Sequence, residues 1–521
     1  MNALLLTIPS SDREEIITDK GPITRGTCQW IEKVDKFESW LKGPTHHLLW
    51  ISGGPGKGKT FLSIYLAQNL SMMASEVSQT PLVLEYFCDN RDNRRNTRLA
   101  VLRGLLYQLL KADNTLYEDI LPEFELWQAR SGNLFSDAHV DELWGIFKKM
   151  INKVPGQIYF VLDGLDECDG ATIKFIKAKL EVMYSASDRG ESRNIKTVIV
   201  SRRLATIVEN ALWIDLDLMH RQEREEDLKA FTSSRVASLF TIPGDDEWQA
   251  PLERILLERA GGTFLWIGLA IQVLTEDPAE VQKILDSESS ISTRLPAGLD
   301  AMYNRMLLDI PENQREVAAR VVRWVSIAFR PLTVAELCTA TRVKLSEMRI
   351  QIYHCRHLLS LTEDKKVQDK KVQLVHLSLK DYLLDIPSLS FSVKCTFGIQ
   401  EEKAHKDVYM MCLELMQTLE KDKCKLRLPG ALASEAKSKV EEYLPSIVQY
   451  ACCYWVDHLK RSDIELSDND DVHSFLKEHF LHWLEALSLM GRMSDSVSMV
   501  TVLQSIVTVS KLLTLSYYLG Y

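Results

Sequence analysis

The fold class the sequence predicts is an α/β domain on a parallel sheet, followed by domains that are mainly helical. Short apolar runs of strand length recur at 47–52, 82–87, 157–162, 195–200 and 213–218, with longer segments of helical character between them. A glycine-dense loop joins the first of these runs to an apolar helical segment. Beyond residue 218 the strand-length runs give way almost entirely to helical periodicity.

The loop after the first strand reads Gly53-Gly54-Pro55-Gly56-Lys57-Gly58-Lys59-Thr60 and fills every fixed position of the phosphate-binding pattern G-x-x-x-x-G-K-[ST]. Glycines let successive backbone N–H groups turn inward onto a phosphate. Lys59 is expected to reach the β- and γ-phosphates, and the Thr60 hydroxyl to ligate Mg²⁺. A helix opening at Phe61 adds its N-terminal dipole to the anion site. Strand, glycine loop and helix together predict a site for a nucleoside triphosphate or diphosphate. The expected contacts run from Gly53 through Phe61.

The 157–162 run ends in Asp163-Gly164-Leu165-Asp166-Glu167, about a hundred residues downstream. A carboxylate closing a buried strand beside the phosphate loop is the Walker B arrangement, which assigns Asp163 to Mg²⁺. Gly164 leaves room near the metal, and Asp166 and Glu167 are candidates to orient or deprotonate an attacking water. The 195–200 run ends in Ser201-Arg202-Arg203, where Arg202 can either sense a γ-phosphate or simply close a strand at the surface.

The 82–87 run precedes an arginine-dense stretch holding Arg91, Arg94, Arg95, Arg98 and Arg103. The whole chain carries 62 basic and 72 acidic residues, for a net charge of −10. In so acidic a chain a local basic helix reads as a solvated face, and no nucleic-acid partner is expected. At 521 residues the chain exceeds one core and predicts three or four domains. Ten scattered cysteines include only one close pair, Cys452-Cys453, and no paired C-x-x-C, which argues against a zinc site. Reduced thiols, no basic n-region and no apolar run of membrane-spanning length predict a cytoplasmic protein without a membrane partner. The apolar tail, 497–521, is broken by polar residues and reads as a packing helix. No repeat of period 20 to 50 is visible.

After residue 221 the segments 225–231, 252–260, 264–274, 299–310 and 317–329 carry helical character, punctuated by Gly261-Gly262, Pro296 and Pro331. The 372–377 segment alternates like a short strand and leads into a helix at 378–384, so that helices plus a small hairpin suggest a winged-helix domain. Residues 401–521 read as all-helical, with Trp455 and Trp483 as core anchors.

Taken together, these motifs resemble the NACHT-domain signalling NTPases of the STAND class, in their fungal NOD-like receptor form. The resemblance rests on Leu48 to Thr60, on Val161-Leu162-Asp163-Gly164-Leu165-Asp166-Glu167-Cys168, and on Ala260-Gly261-Gly262-Thr263-Phe264-Leu265-Trp266. It extends to Arg330-Pro331-Leu332-Thr333-Val334-Ala335-Glu336-Leu337, to the run from Leu374 to Leu383, and to a lead-in around Trp30 and Trp40. It implies an ASCE or AAA-like P-loop NTPase domain, then a helical domain, a winged helix and a second helical domain. In this chain these fall as a lead-in at 1–45, the NACHT domain at 46–218, helical domain 1 at 219–290, the winged helix at 291–395 and helical domain 2 at 396–521. The resemblance also implies a switch, closed with ADP and opening to self-associate with ATP, with adenine as the base. By the same resemblance His376 reaches the β-phosphate of ADP and Arg202 is the sensor arginine, although Arg203 stands where a proline is usual.

Such receptors usually carry an effector domain before this region and a repeat array after it, and neither is expected here. The expectation is either a piece of a longer receptor or a natural short form. Three functions compete: a nucleotide switch with slow ATP hydrolysis, a constitutive AAA-like remodelling ATPase, and a binding or decoy protein that holds nucleotide as a structural cofactor. Larger receptors or effector proteins are the implied partners.

Overall fold

A computed structural model of the chain describes residues 4–44, 46–74, 80–92, 94–129, 134–135, 139–184, 195–204, 211–239, 249–276, 294–363, 369–426, 439–464, 466 and 470–510. It divides into two compact units, Met1–Met302 and Tyr303–Tyr521.

The first unit is built on five parallel strands, β1 (Leu48–Ser52), β2 (Leu82–Phe87), β3 (Ile158–Asp163), β4 (Ile195–Ser201) and β5 (Leu212–Asp215). Their order across the sheet is β2-β3-β4-β1-β5. All five predicted strands are therefore present, each within a few residues of the sequence reading. The middle strands are buried on both faces, which is why they read as unbroken apolar runs rather than alternating ones.

Successive side chains still divide between two cores. Ile158, Phe160 and Leu162 join Trp50, Leu105, Phe147 and Ile176 on one face. Tyr159 and Val161 join Leu49, Ile51 and Val198 on the other. Helices α1 (Pro9–Lys20), α2 (Asp35–Lys42), α3 (Lys59–Met73), α4 (Arg98–Ala112), α5 (Tyr117–Ala129), α6 (Val140–Lys153) and α7 (Gly170–Met183) surround the sheet in chain order. The lead-in belongs to this core: Ile31, Phe37 and Trp40 pack with α3 beneath the sheet. Each such fully buried side chain contributes about 1.5 to 3 kcal/mol. Lys196 of β4 closes the C-terminus of α2, donating to the carbonyls of Trp40, Leu41 and Gly43 at 2.7, 2.9 and 2.8 Å.

Beyond the sheet come α8 (Arg221–Ala237), α9 (Gln249–Arg259) and α10 (Phe264–Glu276), matching the predicted helices there. The predicted 299–310 helix is Leu299–Leu308.

In the second unit α11 (Arg315–Ile327) is followed by a small antiparallel sheet of β6 (Leu332–Thr333), β7 (Leu359–Glu363) and β8 (Lys370–Leu374), in the order β6-β8-β7. Between β6 and β7 lie α12 (Val334–Thr341) and α13 (Leu345–His354), and α14 (Leu377–Leu384) follows β8. The hairpin of the sequence reading is thus a three-stranded sheet, because Leu332 and Thr333 add a short strand. Thr333 then starts α12 with a capping box: its hydroxyl accepts from Glu336 N, and the Glu336 carboxylate accepts from Thr333 N at 2.7 Å.

The remainder is helical, with α15 (Phe391–Phe397), α16 (Glu401–Met416), α17 (Ser446–Arg461), α18 (Asp471–Leu489) and α19 (Met493–Ser510). Trp455 and Trp483 meet edge to face at 5.4 Å between ring centroids, as core anchors. The end of the predicted tail helix, 511–521, lies outside the described residues. Among the described residues no helix is long and apolar enough to cross a membrane.

Candidate functional site

The strand order places two acidic and basic strand ends beside the glycine loop. β4 lies between β1, which leads into the loop, and β3, which ends in Asp163. Across these pairs Ser52 stands opposite Ser201 and Asp163 opposite Val200. Indole N–H groups tie the strand ends together, from Trp50 to Ser201 Oγ at 2.9 Å and from Trp213 to Ser52 Oγ at 2.8 Å. Gly53, Asp163 and Arg202 consequently emerge at one edge, the carboxyl end of a parallel sheet, where ligands of such folds bind.

The loop itself needs its glycines. Gly56 and Gly58 have φ of +69° and +82°, and a Cβ on Gly56 would stand 2.7 Å from Leu265 Cβ. The N–H of Gly53 donates to Ser201 O, and that of Gly54 to Asp217 Oδ2 at 2.7 Å. Among the described residues the N–H groups from Gly56 to Thr60 have no protein acceptor, which is the donor array an anion requires. Lys59 Nζ donates to the carbonyls of Gly53 and Gly54 at 2.8 and 2.7 Å. Burial lowers its pKa, while the charges of Asp166 and Asp163 oppose that shift.

Asp163 is buried and accepts from Ser63 Oγ at 2.7 Å. Burial pushes its carboxyl up, against hydrogen bonds from Ser63 and Thr60 and the charges of Lys20 and Lys59. Thr60 and Asp163 therefore meet as hard oxygen donors, a pair that suits a Mg²⁺ ion whose other ligands are water and phosphate. No set of three or more His, Cys, Asp or Glu side chains among the described residues is arranged for a metal.

Asp166 and Arg202 are paired: the Arg202 N–H donates to Asp166 Oδ1 at 2.9 Å and its Nε lies 3.4 Å from Oδ2. Glu167 accepts from Asn90 N at 3.3 Å. Burial, then the neighbouring charges of Asp89 and Asp166, push Glu167 to about 7. Asp89 itself, although buried, is held at about 2 by the Arg91 guanidinium, which bonds both of its oxygens at 2.7 and 2.8 Å. Gly164 (φ +71°) turns the chain here, and a Cβ on it would lie 3.1 Å from Cys88 O.

The sequence reading included Lys57 and Phe61 but not the contacts they make here. Lys57 Nζ reaches the carbonyls of Gly261 and Gly262 at 3.3 and 3.2 Å, and Phe264 N donates to Gly56 O at 2.8 Å. The entry to α10 is thus seated on the phosphate loop. Phe61 lines an apolar pocket beside the loop, with Pro22, Ile23, Leu216, Phe231 and Phe264. Asp227 of α8 shapes its rim by accepting from Cys28 N at 2.7 Å and Trp30 Nε1 at 3.0 Å. Ser63 sits one helical turn after Lys59 and was visible in principle as a hydroxyl on the loop-facing side of α3.

One expectation is corrected. The arginines from 91 to 103 do not form a solvated basic face. Arg95 is 5% exposed and donates to Phe87 O, Arg103 donates to Leu4 O and lies over the Phe135 ring, and Arg91 is bound to Asp89. Backbone carbonyls draw Arg95 and Arg103 inward and Asp89 holds Arg91, while Arg94 stays exposed beside Asp92. In the second unit His376 is not within the strand but caps α14, its Nδ1 accepting from Ser378 N at 3.1 Å.

Comparison with known proteins agrees with this geometry. Residues 26–202 match the family described as Nephrocystin 3, N-terminal, and residues 303–399 match the winged helix domain of GPI inositol-deacylase. The chain is 28% identical over 542 aligned residues to the vegetative incompatibility protein HET-E-1 of Podospora anserina, covering 96% of this chain and 38% of that protein. It is 27% identical over 208 residues to the azaphilone pigments biosynthesis cluster protein L of Monascus ruber, covering 37% of this chain and 40% of the relative. The chain thus spans about two fifths of the length of the curated relatives it matches.

Among solved structures, a STAND protein with a tetratricopeptide repeat sensor from Pyrococcus horikoshii aligns over 92% of this chain and 64% of its own, at 11% identity and a TM-score of 0.33. Cdc6p from Pyrobaculum aerophilum aligns over 69% of this chain and 92% of its own, at 14% identity and a TM-score of 0.31. The phosphate loop and the Walker B strand thus lie inside one matched family, and the small three-stranded sheet with its flanking helices lies inside the other.

Proposed function

We propose that the chain is an ATP/ADP-dependent signalling switch, closed with ADP and opening to self-associate with ATP, and that it hydrolyses ATP slowly. The observation that carries this reading is the convergence of Lys59, Asp163 and the Asp166–Arg202 pair at one end of the sheet, around free loop N–H groups. The relative named for vegetative incompatibility supports a role in fungal heterokaryon incompatibility or innate immunity. The domain limits near residues 45, 218, 290 and 395 are part of the same proposal.

In this mechanism the loop N–H groups and Lys59 bind and orient the phosphates. Thr60 and Asp163 would hold Mg²⁺, which neutralises developing charge on the phosphate oxygens when bound. Glu167, kept near neutrality in its pKa by burial and two acidic neighbours, is poised to accept a proton from water. Arg202 can exchange its contact with Asp166 for one with the terminal phosphate, so that the third phosphate alters the strand-end network. A ligand shifts such an equilibrium only through contacts that differ between its states. The entry to α10, seated on Gly56 and Lys57, gives those differences a mechanical outlet. His376, an N-cap in the structure, is retained as a candidate contact for the diphosphate.

The test is the molar mass of the protein by light scattering, loaded with ADP or with a non-hydrolysable ATP analogue. A larger species with the triphosphate alone is expected. Equal mass in the two states, with both nucleotides demonstrably bound, would sink the switch. Glu167→Gln should leave nucleotide affinity within about twofold and slow hydrolysis by roughly a hundredfold or more.

A further inference from the structure

The apolar pocket beside the phosphate loop carries three charged side chains in its wall, Lys57, Arg224 and Asp227. Two of them are committed within the protein. Lys57 Nζ donates to the carbonyls of Gly261 and Gly262, and Asp227 Oδ2 accepts from Cys28 N and Trp30 Nε1. Arg224 is not committed. Among the described residues its guanidinium makes no hydrogen bond or ion pair, and its Nε lies buried without an acceptor. The carboxylate of Asp217 is turned away from it, accepting from Gly54 N at 2.7 Å.

The helix that carries Arg224 is braced on the loop. Arg224, Asp227 and Phe231 recur along α8 at i+3 and i+4 spacing, which puts them on one face, and all three line the pocket. Asp227 ties that face to the lead-in, and Phe231 meets Phe264 edge to face at 5.4 Å between ring centroids. Phe264 lies against the loop in turn, since a Cβ on Gly58 would stand 3.2 Å from its ring. Arg224 is therefore held in the same wall as Lys57 and Gly58.

A guanidinium offers five N–H donors and no acceptor. The rings of Phe61, Phe231 and Phe264 suit a flat heterocycle, whereas the loop N–H groups and Lys59 suit the outer phosphates. A base edge that carries a donor, such as the N6 amino group of adenine, matches a donor-only group poorly. A phosphate presents acceptors alone, and a forked guanidinium binds two of its oxygens at once. In a nucleotide that spans pocket and loop, the phosphate bonded to the ribose falls between them, at the wall where Arg224 stands.

We propose that Arg224 is a contact for the α-phosphate of the bound nucleotide, supplied by α8 rather than by the phosphate loop. The inference rests on the nucleotide-switch reading above. It makes α8 part of the nucleotide site. Because diphosphate and triphosphate share the α-phosphate, Arg224 raises the affinity for both and does not choose between them.

The test is calorimetric titration of the full chain, freed of nucleotide, with ADP, with a non-hydrolysable ATP analogue, and with ADP bearing sulfur in place of a non-bridging α-oxygen, at fixed Mg²⁺. In Arg224→Met, ADP and the analogue should both bind about tenfold more weakly, the effect of one lost charge-assisted contact. Arg224→Lys, which keeps the charge and loses the fork, should recover part of that loss. The sulfur should weaken binding several-fold in the wild type for at least one diastereomer, and by less than about twofold in Arg224→Met. An unchanged thermal midpoint without nucleotide establishes that the variants are folded. Unchanged affinities, a loss confined to the triphosphate, or a sulfur effect equal in wild type and variant would overturn the role of Arg224 alone. A wild-type chain that binds neither nucleotide would overturn this inference and the switch together.

Discussion

Two clusters of polar side chains in this protein are built to opposite ends. At the rim of the sheet in the first unit, Lys59, Asp163, Asp166, Arg202 and Glu167 gather acidic and basic groups beside a loop whose N–H donors have no acceptor among the described residues. Inside the helix pair α16 and α17 of the second unit, His405 Nδ1 meets His458 Nδ1 at 2.7 Å, and His458 Nε2 meets the Tyr450 hydroxyl at 2.8 Å. Both histidines are fully buried. Burial, together with the nearby Arg461 and Lys380 charges, holds His405 at about 3 and His458 well below its ordinary range. The rim sets acidic and basic groups side by side at a strand end, where burial moves Asp163 and Glu167 up and Lys59 down. The helix pair keeps its groups neutral and matched to one another. A buried polar cluster fixes how two helices meet, whereas a charged one at a strand end is available for chemistry.

The contrast can be broken most forcefully at Lys59. Lys59→Ala should weaken nucleotide binding by a hundredfold or more in a fluorescent-nucleotide titration, because a charged phosphate contact is lost in a mostly buried setting. Binding within threefold of the wild type would remove the rim from consideration as the ligand site.

The next effect belongs to the helix pair and concerns pH. An unfolded histidine titrates near 6.5, so between roughly that value and the folded value the unfolded chain takes up protons that the fold refuses. Stability contributed by the pair is full above pH ~6.5 and declines as pH falls, by about 1.4 kcal/mol per pH unit for each histidine. Denaturant unfolding at pH 7 and pH 5 should show this loss, and His405→Gln with His458→Gln should reduce the difference. Identical pH dependence in the double variant would show that the histidines are not the neutral partners described.

A smaller change sharpens the rim. Gly56→Ala places a side chain at positive φ and against Leu265, and should cost about 1 to 3 kcal/mol in thermal or denaturant unfolding. Stability equal to the wild type would mean that α10 does not sit on the loop as described. Smallest of all, Arg94→Gln removes an ion pair with Asp92 whose arginine side chain is 58% exposed, and should change stability by about 0.5 kcal/mol or less. A loss of 2 kcal/mol there would show that the arginine-rich segment depends on Arg94 as well as on the buried Arg95.

What the sequence disclosed follows the same division. The strands were legible because a sheet covered on both faces demands continuous apolar runs, and Gly56 and Gly58 because only glycine meets their backbone geometry at low cost. Helix α1 was missed: Pro9–Lys20 carries no apolar stripe, and ion pairs such as Arg13 with Glu85 hold it instead. The pairing of Asp166 with Arg202, 36 residues apart, and of His405 with His458, 53 apart, depends on which elements become neighbours. Local pattern cannot report that. The arginine stretch misled for the same reason, since Asp89 and the carbonyl of Phe87 lie on a strand end that only the fold brings to Arg95.

The most direct test of the central claim is to identify the nucleotide released on denaturing freshly purified wild-type protein and Lys59→Ala, by ion-exchange chromatography. The account predicts close to one ADP per wild-type chain and almost none in the variant. A wild-type protein that carries no nucleotide and binds neither ADP nor ATP on titration would contradict it.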